Sequence, residues 1–317
     1  MFRILKNRFI QELWAPERGR ARIALVFMAM RGLFALALPY YVGKTIAGVK
    51  DGVETEVIRH YVLMMILFAT GTAFAQFWMR WLFIRSSRNF EERLRNRVFQ
   101  HLSRLSFSYF NKVKTGDVMS RLTADVEAVR MGVGPGVMHM FQTGAMALGA
   151  VLFMLISNWQ LALATLAPMG IMFLFIRRLM PLMHQASLRV QKQLATLSAL
   201  SQESFSGSRV VKAFAREDYE VQRFEKQAKA YIDDSMSMAM TRGRMHVFIE
   251  VISGLVAVAL LYFGGKGVIR GTFSLDHFIA FFGYFTMLVW PMIAMGWTLA
   301  LFQRASVAMD RLESVLA

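Results

Sequence analysis

Six stretches of this sequence are too long and too apolar for an ordinary soluble core: Ile23–Val42, Tyr61–Ile84, Gly132–Ile156, Trp159–Ile176, Val247–Phe263 and Phe278–Phe302. A hydrocarbon layer of roughly 30 Å takes about 20 helical residues, and a helix is the simplest way to satisfy backbone polar groups inside lipid. With 56% hydrophobic residues and a mean hydropathy of +0.40, the chain is more apolar than soluble domains of ordinary composition. The expected fold class is therefore an all-α membrane protein with six long transmembrane helices. The first run lies behind a polar, basic leader with no small-residue cleavage site, so it reads as a span and not as a cleaved signal peptide.

The net charge of +16 could point to nucleic acid, but its placement follows the spans. Arg3, Lys6, Arg8, Arg18, Arg20 and Arg22 precede the first run, while Arg85 to Arg130 and Arg177 to Arg244 follow the second and fourth. The opposite loops are nearly bare of positive charge, with none in SNWQ. By the positive-inside rule both termini and the two long polar excursions are cytoplasmic, in a plasma (inner) membrane, and nucleic acid is not an expected partner. There is no cysteine, hence no disulfide or thiolate site. The six histidines lack metal-ligand spacing, and no nucleophile and base are paired, so neither a metal nor a catalytic residue is expected.

The excursions are organised as helices. Val57 to Leu105 holds a helical pattern without proline, on the order of 70 Å of helix and far more than the bilayer needs. Its polar half carries one apolar stripe, Phe90, Leu94, Val98, Leu102 and Leu105, as a helix packed on one side would. Pro181 to Lys212 repeats the design with Leu188, Gln191, Leu194, Leu197 and Leu200, and Val221 to Arg244 leads back to the membrane. Two intracellular hairpins result, residues 85–130 and 177–244. Thr115-Gly116-Asp117 supplies turn chemistry at the first tip. At the second, Gly207 interrupts the helix, and Val211, Phe214 and Tyr219 make an apolar edge among Lys212, Arg216, Glu217 and Glu220, suited either to docking in a partner's groove or to a solvated turn.

At those tips the sequence resembles the six-helix ABC exporters. FSYFNKVKTGDVMSRLTADVEAV (Phe107 to Val129) is similar to their first intracellular loop, and ESFSGSRVVKAFAREDYEVQRF (Glu203 to Phe224) to their second. SNWQLAL, VIRGTFSLDHFIAF and RASVAMDRLESVL resemble other parts of the family in the same order, over nearly the whole chain. The resemblance implies one transmembrane domain, residues 1–317, in a domain-swapped homodimer or heterodimer with a second transmembrane unit. It implies an interfacial elbow helix at residues 1–18, whose Phe2, Phe9 and Trp14 among basic residues suit a membrane surface. It also implies coupling helices that dock on an ABC nucleotide-binding domain. Carried over, the first is Asn111 to Val118, with Asn111, Lys112, Thr115, Gly116, Asp117, Val118 and the following Arg121; the second is Ala213 to Glu220, with Ala213, Phe214, Arg216, Glu217, Tyr219 and Glu220.

That ATPase is not found in these residues. A P-loop needs G-x-x-x-x-G-K-[ST]; the one lookalike, Gly43-Lys44-Thr45, has Leu38 where the first glycine belongs. The chain itself is thus expected to bind no cofactor and to be no enzyme, with ATP and Mg on a nucleotide-binding domain past Ala317 or on a separate polypeptide. Cargo contacts are expected among polar groups in or beside the spans and flexible methionines: Arg31, His139, Gln142, Glu250, Met292, Met295 and Gln303. Arg31 reads either as a cavity-facing contact for an amphipathic or anionic cargo or as half of a structural ion pair, and Arg80 beside Trp78 and Trp81 as a snorkelling residue. The function expected is export or flipping of an amphipathic drug, lipid or peptide by alternating access; the alternatives are an ion-coupled secondary transporter and a non-transporting scaffold.

Overall fold

The computed structural model describes residues 8–316, apart from the side chains of Arg8, Lys112, Met292, Ile293 and Met295. Residues 1–7 of the expected elbow, and the candidate side chains Lys112, Met292 and Met295, lie outside the described residues. Everything regular among the described residues is helical: α1 (Arg8–Trp14), a 3-10 turn (Ala15–Glu17), α2 (Arg18–Lys50), α3 (Thr55–Leu102), α4 (Phe107–Lys112), α5 (Thr115–Ser120), α6 (Val126–Met131), α7 (Val137–Ser157), α8 (Trp159–Ser206), α9 (Ser208–Ala213), α10 (Glu217–Ile269) and α11 (Leu275–Leu316). Wide π-type turns, Arg121–Asp125 and Gly132–Gly136, join α5 to α6 and α6 to α7. Six helical stretches are long and apolar enough to cross a membrane, and the chain is an integral membrane protein.

Its contacts divide the chain into two units, residues 1–163 with 260–317 and residues 164–259. In the first, α3 shows why one helix can serve two environments. Its apolar run exposes Leu63, Ile66 and Leu67, as a helix greasy on all sides does when lipid is its solvent. Its polar half buries the predicted stripe of Phe90, Leu94, Val98 and Leu102 against Val126, Val129 and Val133 and against Ala305, Met309 and Leu312 of α11. Leu105, just past the helix end, packs at the margin of this core. The elbow does not merely lie on a surface: Ile10 is buried in the same core, and the Trp14 ring sits 5.5 Å from that of Phe90.

Gly132 and Gly134 let backbones meet in this unit. A Cβ at Gly132 would stand 2.4 Å from the Ala305 methyl, and one at Gly134 2.2 Å from the Ser87 hydroxyl. Gly132 and Gly134 thus permit a close approach within a π-type turn around Pro135.

The second unit is an antiparallel pair formed by α8 and α10. Phe175 stacks on Phe248 with ring centroids 3.6 Å apart, and farther along Gln193 donates to Asp234 at 3.0 Å and accepts from Gln227 at 2.7 Å. The stripe predicted for α8 is shifted from the face that packs. Leu188, Gln191 and Leu194 are exposed, while Ala186 and Leu200 are buried and Gln193 faces α10. The long α8–α10 contact is partly polar here, and the apolar spacing alone could not say which face met it.

Candidate functional site

The first expected coupling segment has a definite local structure. Thr115, Gly116 and Asp117, predicted as the turn, form the first turn of α5, and the break falls one step earlier at the extended Val113 and Lys114. Asp117 stands in the first turn of α5, where a negative charge is favoured by the helix dipole. The predicted Asn111 to Val118 therefore straddles the end of α4 and the start of α5. Asn111, Thr115 and Gly116 are exposed, whereas Val118 packs on the core of the first unit.

Behind this tip lies a set of ion pairs that sequence spacing did not reveal. Asp117 is held by Arg121 at 3.1 Å and by Arg311 of α11 at 3.7 Å, and Arg311 also stands 3.4 Å from the buried Asp125. Arg121 donates to the Tyr109 hydroxyl of α4 at 3.0 Å. Burial pushes the Asp125 carboxyl up from its ordinary value, against the pull of Arg311 and Arg121. Glu17, before the first apolar run and almost fully buried, receives Arg93 at 2.6 Å, Arg20 at 2.9 Å and Asn89 at 3.1 Å. Burial alone would raise its pKa, yet Asn89 and the two guanidinium groups hold it down at about 2. The elbow is thus tied to α3, and the first tip to α11, by ion pairs. The signal in the sequence was Asp-x-x-x-Arg at residues 117–121; the far partner, Arg311, had none.

The second tip is also displaced from its predicted bounds. Its short helix is α9, Ser208–Ala213, and the predicted Ala213 to Glu220 covers the turn that follows and the first residues of α10. Gly207 does break the helix as expected. The turn is a Schellman arrangement: Ala215 N–H bonds to Lys212 O at 3.2 Å and Arg216 N–H to Val211 O at 2.9 Å. Ala215 adopts φ +49°, the left-handed region in which glycine is usual. Phe214 is 74% exposed, joined by exposed Phe205, Val210 and Tyr219, while Val211 is half-buried. The Arg216 guanidinium lies 5.7 Å from the Tyr219 ring centre, and Glu220 accepts from Ser204, leaving Glu217 exposed.

Among the cargo candidates, Arg31 is half-buried and donates from Nε to Gln76 Oε1 at 2.9 Å, with no ion pair among the described residues. Of the two readings of Arg31, the ion pair is therefore not found there. An arginine in mid-span without a carboxylate costs about 3 kcal/mol on insertion scales. His139 is half-buried with its ring 5.0 Å from that of Trp297, and the buried Gln142 carbonyl has no hydrogen-bond donor. Gln303 is exposed. Glu250 belongs to the second unit, is exposed, and pairs with His246 at 3.2 Å. Lys44, in the one P-loop lookalike, is engaged by Asp276 at 2.6 Å, and a Cβ at Gly43 would strike the Asp276 carbonyl, so the segment does not present a phosphate cradle.

The family model described as "ABC transporter transmembrane region" matches residues 22–292, across both units. The chain belongs to that family. Among ABC relatives, the multidrug resistance-like ATP-binding protein MdlA of Escherichia coli is 27% identical over 98% of this chain and 53% of its own length. The probable multidrug resistance ABC transporter ATP-binding/permease protein YheI of Bacillus subtilis is 27% identical over all of the chain and 54% of its length. The ATP-dependent lipid A-core flippase of Syntrophus aciditrophicus is 25% identical over 88% of the chain and 47% of its length. The chain spans about half the length of these ABC relatives.

Proposed function

We propose that this chain is the membrane-spanning part of an ATP-driven exporter or flippase, working with a second transmembrane unit and with ABC nucleotide-binding domains that hold ATP and Mg. In this reading those domains continue the polypeptide past Ala317 or belong to a separate chain, and nucleotide chemistry takes place on them alone. Both termini and both tips face the cytoplasm of a plasma (inner) membrane. The family membership and the printed names of the relatives support this reading, and the cargo class it suggests is amphipathic.

The observation that carries it is the continuity of α10. Glu217–Ile269 runs without a break from the exposed tip beside Phe214 into the apolar run Val247–Phe263. A partner that grips Phe214, Arg216, Glu217 and Tyr219 could turn this helix as a lever, and Asn111, Thr115 and Gly116 offer the corresponding grip on the first tip. Alternating access requires such a link, because ATP can shift the two global states only through contacts that differ between them. Arg31, His139 and Gln142 are the proposed polar points of the cargo path.

The test is Phe214→Asp and, separately, Glu217→Lys in the complete transporter reconstituted in vesicles. Cargo-stimulated ATPase and transport should part, with transport falling at least tenfold while membrane insertion is unchanged. Normal coupling in both variants would overturn the assignment of the tip, and absence of any cargo-dependent ATPase in the parent would favour the scaffold reading instead.

A further inference from the structure

Two guanidinium groups stand inside apolar runs of the first unit with no acid to meet them. The runs of that unit, Ile23–Val42, Tyr61–Ile84, Gly132–Ile156 and Phe278–Phe302, contain no aspartate or glutamate. Among the described residues, Arg31 donates one N–H to Gln76 and makes no ion pair, and Arg80 has neither an ion pair nor a hydrogen bond.

Their surroundings have a direction. Gln76 and Arg80 are one helical turn apart on a single face of α3, in a shallow groove that continues through Ala73, Thr72 and Ala69 toward the middle of the run. Phe77 and Trp81 wall the groove, and Trp81 packs against Trp78, which stacks on Phe27 of α2. Arg80 lies toward the end of the run at Ile84, where headgroups meet acyl chains, and the small side chains lie deeper. The groove therefore has positive charge and paired donors at its shallow end and an apolar floor at its deep end. Guanidinium groups bind phosphate and carboxylate oxygens in a fork geometry that ammonium cannot copy.

We propose that Arg31 and Arg80, with Gln76 between them, bind the anionic headgroup of a membrane amphiphile whose acyl chain lies along Ala73, Thr72 and Ala69. This rests on the exporter reading and names the charge class of its cargo. Arg80 is then a binding residue and more than a snorkelling one.

The experiment places the full chain, with Trp14, Trp159, Trp290 and Trp297 replaced by Phe, in phosphatidylcholine nanodiscs doped with brominated phosphatidylglycerol or brominated phosphatidylcholine, with tryptophan quenching as the readout for Trp78 and Trp81. Phosphatidylglycerol should quench with about tenfold higher apparent affinity. Arg31→Gln with Arg80→Gln should remove the preference, and Arg80→Lys, which keeps the charge but not the fork, should retain only part of it; unchanged helicity and nanodisc incorporation serve as the fold control. Equal quenching by the two lipids, or a preference that survives the double variant, overturns the inference. Inorganic phosphate added to the phosphatidylglycerol discs should not relieve quenching; relief would overturn the headgroup assignment in favour of a soluble anion. The measurement needs neither ATP nor transport, so a failure here leaves the tip-coupling test standing, and the converse also holds.

Discussion

Lys44 Nζ lies 2.6 Å from Asp276 Oδ2, tying the last turns of α2 to the first turn of α11. The pair sits beyond the apolar runs Ile23–Val42 and Phe278–Phe302, and Asp276 is nearly buried while a third of Lys44 meets solvent. Burial alone would raise the Asp276 carboxyl, but Lys44 together with the Ser274 hydroxyl and the His277 backbone N–H brings the value down to about 2. A depressed carboxylate stabilises the fold above its unfolded pKa of about 4, and that contribution fades as pH falls from about 4 toward 2. Asp276→Asn should cost about 1–2 kcal/mol at neutral pH, discounted for the solvent-screened lysine. Detergent-solubilised thermal melts at pH 7 and pH 3 check this: the parent should lose about half of the difference at pH 3 and the variant should not. Equal acid sensitivity of the two would contradict it.

Arg311 binds the last helix to the first tip. It is the cation nearest the buried Asp125 on another helix, and its second contact is Asp117. Arg311→Gln should weaken this tie by about 1 kcal/mol, since the arginine is half exposed. Amides of residues 115–125 should then exchange several-fold faster in hydrogen–deuterium exchange, with the α8–α10 amides unaffected. Arg311→Lys should restore part of the protection but not all, because ammonium cannot fork between two carboxylates. Unaltered exchange at 115–125 would show that the tie is idle.

Much of the fold could be read from residues because lipid and helix impose simple periods. The six runs and the stripe Phe90, Leu94, Val98, Leu102 needed only 20-residue apolarity and 3.6-residue spacing. At the tips, the segments Asn111 to Val118 and Ala213 to Glu220 each run across a helix end and do not form one helix. Thr-Gly-Asp serves as well to open a helix as to make a turn, and local chemistry cannot choose between them. The Gln76 partner of Arg31 and the partners of Arg311 were not visible, because these contacts join helices far apart in sequence. The face by which α8 meets α10 was missed for a related reason. Gln193, Gln227 and Asp234 do part of the joining, and polar contacts leave no hydrophobic period.

Ala215 holds a left-handed conformation in the turn between α9 and α10, where its Cβ crowds the neighbouring carbonyl. Replacing it by glycine removes that conflict while keeping the two Schellman hydrogen bonds, at the expense of a more flexible unfolded chain. Ala215→Gly should thus stabilise the second tip by about 1 kcal/mol, and Ala215→Val should destabilise it, since a β-branched residue tolerates positive φ poorly. Limited proteolysis at the exposed Arg216 measures both: cleavage slower than the parent for glycine and faster for valine. The opposite order would mean that the turn is not held in this conformation in the membrane.

The contact of Gly132 with Ala305 offers a size-matched test of how closely α11 approaches the segment before α7. An alanine at 132 would put two methyl groups 2.4 Å apart, well inside van der Waals contact, so helices must separate or a backbone must shift. Overpacking of this kind costs about 1–3 kcal/mol, more than the gain in helix propensity of up to about 1 kcal/mol from glycine to alanine. Gly132→Ala should therefore lower the melting temperature in detergent. Ala305→Gly in the same molecule returns the lost space and should recover most of the loss, while Ala305→Gly alone should destabilise by opening a small void in the core around Val129 and Met309. A coupling of at least about 1 kcal/mol between the two positions is the expected signature. Additive effects would mean that these backbones do not touch, and the arrangement of α11 against Val126, Val129 and Val133 would have to be abandoned.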